Sequence, residues 1–270
     1  MKARAWLVNG LLWGLALLAV FPLLWMVSVS LMPTGSASSL PPPLLPRQPT
    51  LAHYQQLLRA GGIAQAFVNS LGLALAATLL STTLNTLAGY GFAKLRFARR
   101  ERVFGWLIAA LVIPGQVAML PLFLMLKSMG LVNTWMGVLI PSMASIFGIF
   151  LVRQYARGVP DDLIEAARMD GAGEWRIFFH IVLPVLKPVL VTLAVFAFLG
   201  SWNDFMWPLI VLTDSGMHTL PVALAAMSRE HVQDSELMMA GAVITVLPVL
   251  LLFLALQRFY MQGLLMGSVK

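Results

Sequence analysis

Six stretches of this sequence are predominantly apolar over about the 20 residues that a helix needs to cross a ~30 Å hydrocarbon layer. They run Leu11 to Leu31, Ile63 to Phe92, Phe104 to Leu126, Trp135 to Val152, Pro188 to Leu212 and Met239 to Leu256. No water-soluble core absorbs that much apolar chain, and only 11% of the 270 residues are charged, against about 25% in an ordinary soluble domain. The expected fold class is therefore all-α, a polytopic membrane protein with six transmembrane helices. An even number of spans puts both termini on one side. All but four of the 18 Lys and Arg residues fall on that side, the exceptions being Arg47, Arg59, Lys127 and Arg229. The positive-inside rule then makes the N and C termini cytoplasmic. The net charge of +7 is accounted for by this topology. No basic soluble domain is left to bind nucleic acid.

The segments outside the membrane, the longest being 32–62, 153–187 and 213–238, are shorter than the ~50 residues of a small domain. The expected organisation is a first transmembrane helix and outer loop over 1–62, then a core over 63–270 carrying a cytoplasmic loop at 153–187. The first apolar run exceeds the roughly 7 to 15 residues of a signal-peptide core and reads as a retained span. Pro41, Pro42, Pro43 and Pro46 read as a stiff connector.

Most catalytic chemistry is excluded. None of the lysines follows a glycine, so the chain has no phosphate-cradling Gly-Lys-Ser/Thr loop. His53, His180, His218 and His231 lack the spacing of a helical zinc pair and read as interfacial or loop residues. Asp204 is the one acid inside a predicted span, short of the two carboxylates that an intramembrane protease requires. Trp202, Asn203 and Asp204 place polar groups near the middle of the fifth span, either lining a wet path or forming a helix-packing node.

The informative segment is the loop at 153–187. Pro160 with Asp161 or Asp162 starts a short helix, Asp162 and Glu165 have capping-box spacing, and Gly171 suits the left-handed residue that ends it. A second helix follows, with Trp175, Phe178, Phe179 and Val182 on one apolar face, interrupted by Pro184 and Pro188. Ala166 and Ala167 add little bulk, so another protein's surface can approach closely. Glu165, Arg168 and Asp170 supply charges that set register.

The spacing Glu165-Ala166-Ala167, then Gly171, then Ile181 and Leu183-Pro184 resembles the signature loop of permease subunits of ATP-binding-cassette (ABC) importers. The resemblance is closest to the smaller permease of the maltose-type, carbohydrate-uptake family. It extends through Asn69-Ser70-Leu71, Gly89-Tyr90, Pro114 with Gln116, Arg153-Gln154, Trp202-Asn203-Asp204 and Gln257-Arg258-Phe259-Tyr260. It implies a type I importer fold in a bacterial or archaeal cytoplasmic membrane. The loop is then the coupling helix that docks on a separate ATPase. The chain itself would be no enzyme and carry no cofactor, ATP and Mg being held by that partner. The implied assembly is a heterodimer with a second permease, two ATPase subunits and an extracytoplasmic solute-binding protein. By position, Arg229, Glu230 and His231 correspond to a loop that reaches into the binding protein. The tail Gly267, Ser268, Val269 and Lys270 resembles one that inserts between the ATPases. A sugar or oligosaccharide is the expected solute, with glycerol phosphates open. A secondary carrier relaying protons through Asp204, and a purely structural subunit, are the alternatives.

Overall fold

The computed structural model describes residues 2–59, 62–230 and 234–266, and among them it is helical with no strand. The helices are α1 (Lys2–Ser30), α2 (Ala52–Arg59), α3 (Gly62–Lys94), α4 (Arg100–Ala110), α5 (Met119–Ser128), α6 (Trp135–Ser142), α7 (Ile146–Arg157), α8 (Asp161–Met169), α9 (Glu174–Ile177), α10 (Leu183–Trp202), α11 (Met206–Val211), α12 (Leu220–Glu230) and α13 (Ser235–Met266). Among the described residues four helices are long and apolar enough to cross a membrane, over Val8–Ser30, Gly62–Lys94, Glu174–Trp202 and Ser235–Gln257. The third and fourth expected spans are each a bent pair, α4 with Gly115–Ser128 at 92° and α6 with α7 at 43°. Counting each pair as one span restores six.

The breaks have local causes. Pro114 has no N–H to donate and disfavours helical geometry at Ile113, and a 3-10 turn over Gly115–Ala118 follows it. Ser145 is extended and restarts α7 as its N-cap, accepting the Gly148 N–H at 3.2 Å. The fifth span lies further toward the N-terminus than expected, over Glu174–Trp202 rather than Pro188 to Leu212. Its helix ends at Trp202 and restarts at Met206 with Pro208 in the first turn, where a missing donor costs least. Pro184 and Pro188, expected to interrupt, lie instead in a helix unbroken from Glu174 to Trp202. A widened π turn over Phe178–Val182 directly upstream gives the Pro184 ring room.

The chain divides into two compact units, Met1–Ala66 with Leu220–Leu250, and Phe67–Thr219 with Leu251–Lys270. In the first unit, His53 is buried, contrary to its reading as an interfacial or loop residue, because its Nε2 pairs with the Met32 carbonyl at 2.9 Å. Glu236 corrects the expectation that Asp204 is the one acid in a span. α13 begins before Met239, and the fully buried Glu236 accepts the Ala37 N–H at 2.8 Å. In the second unit, one core cluster joins Tyr90, Val152, Ile164, Ile177, Phe178 and Leu186, packing α8 and α9 against α3, α7 and α10. Gly89 permits this closeness, since a Cβ there would lie 2.6 Å from Val152.

Candidate coupling site

The helix α8 is nine residues long and is anchored by one face. Ile164 is buried in the core, Ala167 packs against the same cluster, and Leu163, Ala166 and Met169 are left open. The expected pair of small residues therefore divides. Ala166 faces outward and Ala167 inward, because neighbours on a helix are 100° apart. Met169 is 88% exposed and lies one turn beyond Ala166, which adds to the open face an apolar side chain that the small-residue argument passed over.

Both ends of α8 differ in detail from the motif reading. Pro160 is the N-cap and no side chain caps the first turn, so the Asp162 to Glu165 capping box does not form. Asp161 is drawn aside by Lys94, whose Nζ lies 2.6 Å from Asp161 Oδ1 and 2.6 Å from the Val159 carbonyl. That hydrogen bond holds the Asp161 carboxyl below the usual carboxylate range. The C-terminal end is as expected. Gly171 has φ +80, the Gly171 N–H bonds the Arg168 carbonyl at 3.0 Å, and the Ala172 N–H bonds the Ala167 carbonyl at 2.9 Å. This is a Schellman stop, which a side chain at Gly171 would strain.

A chain of contacts fixes α8 to the next helix. Arg168 Nε donates to Glu174 Oε1 at 2.9 Å, and Tyr90 Oη donates to Glu174 Oε2 at 3.0 Å, tying α8, α9 and α3 together. The hydrogen bond to Glu174 raises the Arg168 pKa further. Beside it, Arg153 is almost wholly buried. It donates to both Glu101 oxygens at 2.7 and 2.8 Å and to the Phe92 carbonyl at 3.2 Å, with its guanidinium 3.8 Å over the Phe104 ring. Among the described residues Glu165 reaches only Arg96, at 4.0 Å with both side chains exposed, which leaves it open to an external contact. Asp170 is exposed. Between α8 and the 94–102 loop lies a groove of about 820 Å³ lined by both signs of charge.

Ile181 and Leu183 are partly buried against the core, and Pro184 is exposed within the helix. Ile181 and Leu183 therefore anchor the helix that follows α8, while Pro184 is left open. Trp175 and Phe179, expected on the buried face, stack on each other at 6.1 Å and are 67% and 52% exposed. Ile177, Phe178 and Val182 take the buried positions because the π turn shifts the register.

The polar triplet ending α10 is separated. Trp202 is fully buried between Phe67 and Phe198, with ring centroids at 5.6 and 5.8 Å. Asn203 is exposed and donates to the Leu199 carbonyl at 3.0 Å. Asp204, beyond the helix end, lines a cleft of about 640 Å³. Arg229 and Glu230 end α12. His231 and the tail Gly267, Ser268, Val269 and Lys270 lie outside the described residues.

Comparison with known proteins gives a consistent picture. The family described as "Binding-protein-dependent transport system inner membrane component" matches residues 85–265. The chain is 36% identical over 259 residues to the arabinooligosaccharides transport system permease protein AraQ of Halalkalibacterium halodurans, covering 95% of this chain and 93% of that one. It is 38% identical over 204 residues to the lactose transport system permease protein LacG of Rhizobium radiobacter, covering 76% and 74%. Its fold is similar to a chain of a bacterial ABC transporter involved in the import of the acidic polysaccharide alginate, with TM-score 0.85 and 22% identity over 96% of this chain and 98% of that one.

Proposed function

Because the chain belongs to the family of inner-membrane components of binding-protein-dependent transport systems, we propose that it is the sugar- or oligosaccharide-translocating permease subunit of an ATP-driven importer in a bacterial cytoplasmic membrane. It is a transport subunit, and ATP hydrolysis belongs to a separate protein. In this reading it forms the solute path with a second, related permease. Two ATPase subunits, with their ATP and Mg, sit on the cytoplasmic side, and a solute-binding protein delivers from the other. Both termini of the chain are cytoplasmic, and its tail from Gly267 to Lys270 reaches the ATPases.

The observation that carries the reading is the division of α8 into two faces. Ile164 and Ala167 anchor it, while Leu163, Glu165, Ala166, Met169 and Asp170 remain open. An apolar strip with flanking charges suits a protein cleft. Closure of the ATPases on ATP would displace α8. The links through Glu174 to Tyr90 and through Lys94 would pass the displacement to α3, turning the bundle between inward and outward states as rigid elements.

The experiment is reconstitution of the permease pair with its ATPase and binding protein in proteoliposomes. A panel of arabinotriose, lactose, trehalose and raffinose is supplied, and ATP hydrolysis and uptake are followed. At least one sugar should stimulate both. Ala166→Arg and Glu165→Lys should insert normally yet lower uptake at least ~10-fold, the scale of losing a buried interface contact. Uptake driven by a proton gradient without the ATPase, or undiminished in both variants, would overturn the proposal.

A further inference from the structure

Three helix interruptions open onto the same cleft of about 640 Å³. The bend after α4 brings Gln116 to its wall, the bend between α6 and α7 brings Ser142 and Ser145, and the gap after α10 brings Asp204. A smaller adjoining cavity of about 420 Å³ shares Ser145 and Phe196 and extends the cleft to Phe147. The Phe147 and Phe196 rings meet edge to face at 6.2 Å. Within a hydrocarbon layer, irregular backbone persists only where protein buries it or water reaches it. Interrupted helices there commonly surround a transported solute.

The polar groups on the wall divide into those already used and those left over. Ser145 accepts the Gly148 N–H, Ser142 donates to the Leu139 carbonyl at 2.8 Å, and the Trp207 indole donates to the Gly137 carbonyl at 3.1 Å. These serve the broken backbone. Among the described residues Asp204 receives only the backbone N–H groups of Met206 and Trp207 and has no ion pair. Its carboxylate therefore keeps acceptor capacity toward the cleft. Gln116 is exposed there, and so is Phe196 at 46%.

We propose that this cleft is a solute-contact site within this chain, selective for neutral, hydroxyl-rich solutes. Asp204 accepts solute hydroxyls, the Gln116 amide donates and accepts, and the Phe196 ring covers the apolar C–H face of a sugar. A carboxylate with no cation beside it repels a phosphate or carboxylate brought into the same poorly hydrated space. The site thus favours plain sugars over glycerol phosphates or acidic saccharides. This rests on the importer reading above and adds to it the solute class and the residues.

The sequence contains no cysteine, so each introduced thiol is the one thiol of this chain, and labelling is read on this chain's band after the subunits are separated. Gln116→Cys and Ser201→Cys would be made in the reconstituted complete importer, with Leu15→Cys and Leu79→Cys as outward-facing apolar controls. The probes are two water-soluble thiol reagents, a cationic and an anionic methanethiosulfonate (MTSET and MTSES). The cleft thiols should react, the controls should not, and a saturating concentration of the transported sugar should slow the reaction at Gln116→Cys. Adding Asp204→Asn should lower the MTSET to MTSES rate ratio at Ser201→Cys about five-fold or more, as removing a nearby charge demands. Cleft thiols as inert as the controls, or a ratio unmoved by Asp204→Asn, would overturn the site. Uptake that proceeds while the sugar leaves labelling untouched would overturn the site and spare the importer reading. Absence of sugar-stimulated ATP hydrolysis would overturn that reading, while the rate ratio still decides the anion discrimination.

Discussion

Two regions of the second unit solve the same problem, that of holding irregular backbone in place, by opposite means. Around α8 the fastenings are charged. Lys94 meets Asp161, Arg153 meets Glu101 and Arg168 meets Glu174, and in the first two a buried cation faces a carboxylate that is 75% or 64% exposed. At the break between α6 and α7 the fastening is neutral. The fully buried Asn85 accepts the Ser145 N–H at 2.9 Å and donates to Ser81 Oγ at 2.8 Å, and a Cβ on Gly148 would meet its amide at 2.7 Å. The difference follows from solvent. Near water a charge pair keeps one member hydrated and costs little. Inside the hydrocarbon layer a charge costs at least several kcal/mol, whereas an amide or hydroxyl satisfies a carbonyl or N–H far more cheaply.

Four changes break or sharpen this contrast, in falling order of effect. Arg153→Ala strips the Phe92 carbonyl of its donor and leaves a hole over Phe104, and should destabilise the assembly by about 3 kcal/mol. The midpoint of thermal unfolding in detergent checks it. Asn85→Leu, close in volume, leaves the Ser145 N–H unpaired in an apolar setting and should cost about 2 kcal/mol by the same measurement. If it were harmless, water rather than Asn85 would be holding that break. Gly171→Ala forces a side chain into φ +80 and should cost about 1 kcal/mol, with amide exchange quickening through α8. The smallest effect is that of acid. Asp161 has a depressed pKa in the folded protein. Its contribution is complete above the ordinary carboxylate pKa and disappears as pH falls through the lower folded value. Amide protection of α8 should therefore be flat from neutral pH down to that range and fall only below it. Lys94→Met should remove that fall.

Much of this was readable from residue order. Transfer of an apolar run into lipid sums over consecutive residues, so the long helices α1, α3 and α13 and the two bent pairs all lie where hydropathy indicated. Gly171 also did what its position after a short amphipathic run implied. Which prolines interrupt a helix was not readable. Pro22, Pro188 and Pro248 lie inside continuous helices, while Pro114 precedes a 92° bend. The residue is the same each time, and the outcome depends on whether neighbours offer room and replacement partners. The links of Tyr90 to Glu174 and of Asn85 to Ser145 span 84 and 60 residues. No local spacing encodes them.

Residue order by itself determined that this chain lives in a membrane, and that 161–171 forms a short helix with a definite stop. It also determined that no lysine here follows a glycine, so the phosphate-cradling Gly-Lys-Ser/Thr pattern does not occur in it. Tertiary packing decided that Ala166 faces out and Ala167 in, that Trp202 is core, and that Asp204 stands in a cleft where no described residue sets a cation beside it. The physical reason is range. Hydropathy and turn preference are properties of a segment, whereas exposure and hydrogen-bond satisfaction belong to whatever distant segment packs alongside it.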